Sequence, residues 1–172
     1  TVAAQRPVTI QDLMRHTSGI IYGGRGATAV HKLYPASSSS AGTGMTGKEF
    51  VDKLGSLPLL HQPGSTWDYG FGLDVLGVVI ERVSGQPLGQ YLEAQVFKPL
   101  GMRDTAFAVP PEKAKRYAKA FPNDPDTGKP QVVLDLTKPL KFECGGGCAA
   151  STAGDYIRFA QMLLDGGKLE GK

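Results

Sequence analysis

Tyr69 stands in the run Trp67-Asp68-Tyr69-Gly70-Phe71-Gly72, where the flanking glycines predict a bend directly before a helix. A phenol held rigidly in such a bend while facing a cleft can exchange a proton. An aromatic set between Trp67 and Phe71 more often walls a hydrophobic core, so type and spacing leave both roles open. The next candidates are Cys144 and Cys148, which flank Gly145-Gly146-Gly147. Structural zinc wants four ligands, and His16, His31 and His61 are far away in sequence, so a metal site is disfavoured. Free thiols are the favoured reading; a short disulfide across the glycines is the alternative, and so small a loop would stabilise little. The triple glycine is not a phosphate loop, because no Lys-Ser or Lys-Thr follows it.

The elements that must position these groups follow from the pattern. With 41% hydrophobic and 20% charged residues, the 172-residue chain can bury one sizeable core. Its net charge of +3 is spread among acids, with no basic run to track phosphates, so nucleic acid is not an expected partner. No stretch approaches the roughly 20 apolar residues of a membrane span.

Thr9 to His16 reads as a short helix capped by Thr9 with Asp12 three residues on, and Gly19 closes it. The Gly/Ser/Ala/Thr-rich segment Tyr22 to Gly44 reads as a mobile surface loop outside the core. A capping box at Thr46 and Glu49 opens a helix over Gly47 to Leu54. After Tyr69, the residues Leu73, Leu76, Val79, Ile80 and Val83 describe the buried face of another helix, with Asp74 as a dipole and capping residue near its start. Leu88 to Val96 is a further amphipathic helix, stopped by Pro99 and Gly101. Short strands are expected at Thr105 to Val109, Tyr117 to Phe121 and Gln131 to Leu136, the last two joined by a turn at Asn123 to Gly128. A last helix, capped at Ser151-Thr152, carries Tyr156, Ile157, Phe159, Ala160, Leu163 and Leu164 on its apolar face.

Several blocks gain meaning together. The segment from Val8 to His16-Thr17-Ser18-Gly19, the Gln62-Pro63-Gly64-Ser65-Thr66-Trp67-Asp68-Tyr69 run, Asp74-Val75-Leu76-Gly77, Ser84-Gly85-Gln86-Pro87-Leu88, Phe97 to Thr105 and Gly145 to Tyr156 occur in one order. That order resembles the β-lactamase-related serine hydrolases: class C β-lactamases, serine D-alanyl-D-alanine carboxypeptidases and family VIII carboxylesterases. The resemblance implies an α+β fold of which this chain holds the mainly helical portion with some edge strands, the large antiparallel sheet being largely missing. It divides one domain into an H-T-S-G segment at 1–21, a flexible loop at 22–46, a helical region with the tyrosine motif at 47–104, short strands and turns at 105–150, and a helix at 151–172.

In that family a serine of a Ser-x-x-Lys motif attacks a carbonyl and forms an acyl-enzyme. By position Tyr69 takes the role of catalytic general base or proton relay, aided by the neighbouring ammonium. The usual Tyr-x-Asn is Tyr69-Gly70-Phe71 here, and a phenyl ring offers no hydrogen bond to a substrate amide. Phe71 as a substrate-binding residue would then favour esters; its alternative role is wall packing. His16 sits in a turn that is structural in the family. No serine has Lys three residues on, Ser40 being followed by Thr43, Ser65 by Asp68 and Ser151 by Gly154, and no Lys-Thr-Gly strand motif is present. The resemblance therefore assigns nucleophile and strand motif to N- and C-terminal parts of a longer polypeptide, with a small ester or β-lactam as substrate and neither cofactor nor metal. A non-catalytic relative that has lost the nucleophile is the competing expectation. The family points to a periplasmic or secreted setting, a cytoplasmic one staying open for its esterase branch.

Overall fold

Side-chain caps fix where the helices begin. The computed structural model describes residues 2–131 and 133–171, so Thr1, Val132 and Lys172 lie outside the described residues. Helix α1 (Ile10–Met14) starts at Thr9, whose hydroxyl accepts the Asp12 N–H while the Asp12 carboxylate accepts the Thr9 N–H and hydroxyl at 2.9 and 2.7 Å. The Arg6 guanidinium closes on the same carboxylate at 2.6 and 2.8 Å, which holds its pKa far below the usual carboxylate range. Reciprocal caps also open α2 (Ser38–Gly44), at Ser37 with Ser40, and α3 (Gly47–Ser56), at Thr46 with Glu49. Helix α4 (Gly72–Ser84) ends at Gly85, whose φ of 70° is the left-handed conformation a helix stop of this kind requires. Helix α5 (Leu88–Leu92) runs on into a π-helical turn over Glu93–Phe97, and α6 (Ala153–Leu164) is capped by the Thr152 side chain on the Asp155 N–H.

The main core joins α2, α3 and α4 to three non-helical stretches. Phe50 stacks on Phe142 at 4.9 Å between ring centroids and meets the edge of Phe71 at 5.3 Å. Ile21, Tyr22, Tyr34, Ala41, Cys144 and Cys148 belong to it too, as do Leu54, Val78, Leu88 of α5 and Phe107. A smaller cluster of Leu100, Met102 and Leu169 lies beneath Phe159 and Met162 of α6. Among the described residues, no helix is long and apolar enough to cross a membrane.

Four expectations change. The segment from Tyr22 to Gly44 is not an excursion: it folds into short 3-10 turns and α2, and Tyr22, Tyr34, Ser38 and Ala41 are buried. Its Ser run supplies a helix cap, and Gly42 lets α2 sit against Phe142 and Cys144. Helix α4 buries Gly72, Asp74, Gly77 and Val78, whereas Leu73 and Val83 are exposed. A helix apolar on nearly every side does not declare its inner face by hydrophobicity, and close approach selects the glycine side: a Cβ on Gly77 would stand 2.9 Å from Leu88. The expected strands are represented only by the isolated antiparallel bridges Ala106–Ala150 and Asn123–Pro130 among the described residues, because a strand needs a partner for its backbone groups. The turn between them does form, with the Gly128 N–H on the Asp124 carbonyl at 2.8 Å. Finally, Cys144 and Cys148 form a disulfide with a Cα–Cα separation of 5.3 Å, not free thiols; the glycines between them let so short a loop close, and both cysteines are fully buried.

On α6, Tyr156, Ile157, Leu163 and Leu164 are between 60 and 80% exposed. They belong to the apolar face read from the sequence, of which Phe159 is packed in the smaller cluster and these four are uncovered among the described residues.

Candidate active site

The turn after α1 and the turn before Tyr69 are sewn together through their backbones. The Gly64 N–H donates to the Thr17 carbonyl at 2.7 Å, the Leu60 N–H to the Gly19 carbonyl at 2.9 Å, and the Asp68 N–H to the His16 carbonyl at 2.9 Å. Gly70 fits only because it lacks a side chain, since a Cβ there would overlap the Ile20 carbonyl. Tyr69 is thereby fixed at a bend, half-buried, with rings on two sides: His16 at 4.7 Å and Tyr22 at 5.4 Å between centroids. The Arg25 guanidinium lies 5.4 Å from the Tyr69 ring centroid, in cation–π contact. Among the described residues the Tyr69 hydroxyl has no hydrogen-bond partner, so its polar end is free for chemistry.

Phe71 is placed differently from expectation. It is fully buried, packed on Tyr22 at 4.4 Å and on Phe50, and no face of its ring is open to a substrate. Its position at the mouth of α4 turns it inward to the core, which is the wall role and not the substrate-binding one.

Beneath Tyr69 lies a polar centre that the sequence did not announce. Asp74 is fully buried and accepts hydrogen bonds from the Ser38 hydroxyl at 2.9 Å, the Tyr22 hydroxyl at 3.1 Å and the Gly146 N–H at 3.1 Å. The two hydroxyls are themselves 2.7 Å apart. Asp74 was read as a cap of its own helix; its carboxylate instead ties α4 to Tyr22, to α2 and to the disulfide loop. Burial pushes its pKa up while the three donors oppose that shift, and burial raises the Tyr22 phenol as well. The signal was an acid inside an otherwise apolar helix, since a charge on a buried face must find donors. Which donors it finds, 36 and 52 residues away, was not visible.

Three other hydroxyls are engaged, the Thr28 hydroxyl by His31 Nδ1 at 2.7 Å. Ser18 is buried and accepts the Ile20 N–H at 3.2 Å, and Ser38 is bound to Asp74. A cavity of about 920 Å³ is lined by residues that include Phe107, Tyr117, Leu136, Glu143 and Thr152, and Tyr69 is not one of them. The described residues hold no cluster of His, Cys, Asp and Glu able to take a metal ion. What the chain builds is a fixed phenol beside an imidazole and a guanidinium, a group suited to moving a proton.

Comparison with known proteins gives the family. The family model described as Beta-lactamase matches residues 1–172, and the chain belongs to that family. It is 43% identical over 127 residues to the esterase EstB of Burkholderia gladioli, covering 73% of this chain and 31% of that protein. It is 32% identical over 170 residues to the lovastatin esterase of Penicillium rubens, covering 92% of this chain and 40% of that one. Among solved structures it resembles EstCE1, a hydrolase with promiscuous acyltransferase activity, with a TM-score of 0.76, 25% identity and coverage of 98% of this chain and 48% of that chain. The fold is thus an α-rich part of the β-lactamase fold. The chain spans less than half the length of the curated relatives it matches.

Proposed function

We propose that this chain supplies the proton-transfer tyrosine of a serine hydrolase that works through an acyl-serine intermediate, with small carboxylic esters as its substrates. The observation that carries the reading is Tyr69 itself: its backbone is held on both sides, its ring is packed by His16 and Tyr22, and its hydroxyl is unengaged among the described residues. Esters are favoured over β-lactams by two relatives whose names are those of esterases, one of them 43% identical. In the reaction the phenolate form of Tyr69 would take the proton of a serine hydroxyl as it attacks the ester carbonyl, then return it to the departing alcohol. Nucleophile, lysine and distal strand would come from the remainder of a longer polypeptide, which would also cover the apolar face of α6.

The test is Tyr69→Phe in the full-length polypeptide, assayed on short-chain nitrophenyl esters. A general base of this kind is worth about 10²-fold or more in kcat. Activity within a few-fold of wild type would remove Tyr69 from the role. Labelling with a fluorophosphonate and with a fluorescent penicillin separates the alternatives: reaction with the phosphonate alone indicates an esterase, with both a penicillin-binding esterase, and with neither a non-catalytic relative.

A further inference from the structure

His16 belongs to a different segment from Tyr69, yet both N–H groups flanking the tyrosine end on it. The Asp68 N–H reaches its main-chain carbonyl at 2.9 Å and the Gly70 N–H its Nδ1 at 3.4 Å, while the ring lies 4.7 Å from the phenol ring. The first contact is available to any residue; the second needs an acceptor atom two bonds beyond Cβ. His16 also has a φ of 55°, a left-handed conformation that costs a residue with a Cβ about 1 kcal/mol or more and that glycine would adopt freely. The strain is therefore kept for the side chain.

We propose that His16 is the positioning residue of the tyrosine site: in its Nε2–H tautomer it holds the Gly70 N–H on Nδ1 and backs the Tyr69 ring, so that the phenol is aimed from behind. This rests on Tyr69 as the proton-transfer group. Nδ1 accepts only while the ring is neutral. Burial lowers the His16 pKa and the Asp74 charge opposes this, so the clamp is closed at neutral pH and opens in acid. The other charged or titratable groups around it are Asp68, bound to His61 at 3.2 Å, Arg25 over the Tyr69 ring, Asp12, held by Arg6, the neighbouring Arg15, and the Tyr22 phenol.

Two substitutions in the full-length polypeptide separate clamp from filler. His16→Asn places an amide oxygen where Nδ1 lies and tolerates the left-handed backbone, whereas His16→Gln carries its amide one bond further out. His16→Asn is expected to keep kcat within about threefold, and His16→Gln to lose about 10- to 100-fold in kcat with KM nearly unmoved. Equal kcat for the two, or a loss carried by KM, overturns the proposal. The ¹⁵N spectrum of the wild-type imidazoles, assigned with His16→Asn, needs no turnover and no stable Gln variant. An Nε2–H tautomer is expected at His16, and an Nδ1–H tautomer overturns the clamp itself. A fully active Tyr69→Phe would instead overturn the catalytic premise, so the two failures are told apart.

Discussion

Replacing Asp74 by Ala tests whether the buried carboxylate holds the site's floor together. Its three donors fare differently once it is gone. The Tyr22 and Ser38 hydroxyls, 2.7 Å apart, can satisfy one another once, which leaves one buried hydroxyl hydrogen without an acceptor. The Gly146 N–H is only half-buried and can turn to water. One orphaned buried donor costs about 1–3 kcal/mol. The hollow left by the carboxyl adds about 1 kcal/mol. Relief from burying a charge returns about 1 kcal/mol, so the net loss is about 2 kcal/mol. Asp74→Asn keeps an acceptor oxygen for the hydroxyls and should lose about half as much or less. Urea unfolding of the full-length polypeptide measures both, and faster amide exchange at Gly146 should accompany the Ala variant. The pH dependence has a definite sign. Because the folded pKa of Asp74 is raised above its usual 3.8, the wild type gains on Asp74→Asn as pH falls from that folded value towards 3.8, and loses the gain as pH rises through it. Equal stability of the Ala and Asn variants, or a loss below about 0.5 kcal/mol for Ala, would refute the accounting.

The disulfide and two glycines give sharper contrasts. Reduction of Cys144–Cys148 should cost about 2 kcal/mol, the loop-entropy value for so short a closure; a loss above about 4 kcal/mol in urea unfolding would show that the loop's packing, not the cross-link, dominates. Gly70→Ala should destabilise by about 2 kcal/mol or more, because its Cβ overlaps the Ile20 carbonyl, and should lower kcat with it. Gly55→Ala, in the last turn of α3 with open space around it, should stabilise by about 0.5 kcal/mol. Equal effects in a thermal melt would mean the close approach at Gly70 is not what restricts it.

Local chemistry was legible in the sequence, and pairing across distance was not. The caps at Thr9, Thr46 and Thr152 each depend on residues within four positions, and they stand as read. Tyr69 was singled out by the order of surrounding blocks. The inner face of α4 was misread because Leu and Val surround it, so its orientation is set by where Leu88 and the Gly145 backbone approach Gly77. Tyr22 and Ser38 were assigned to a mobile loop because composition reports average polarity, while one buried carboxylate suffices to order two hydroxyls. The Cys144–Cys148 pair shows the same limit, since three glycines permit a bridge without requiring one.

Two of the blocks that carried the family resemblance meet at Tyr69. Thr17 and Gly19 of the first block accept the N–H groups of Gly64 and Leu60 around the Pro63-Gly64 turn, and His16 accepts those of Asp68 and Gly70. Asp74, in the next block, reaches Gly146 in the last. A proton-transfer phenol must be held to a fraction of an ångström, and a bend has few internal hydrogen bonds with which to hold it. The rigidity comes largely from the 16–20 segment, which lends carbonyls at a set turn and an acceptor at Nδ1, and Gly70 must stay without a Cβ to let that segment approach. The segment from Ala106 to Gln131 lends no hydrogen bond to Tyr69, and among the described residues it settles into a 3-10 helix, turns and isolated bridges.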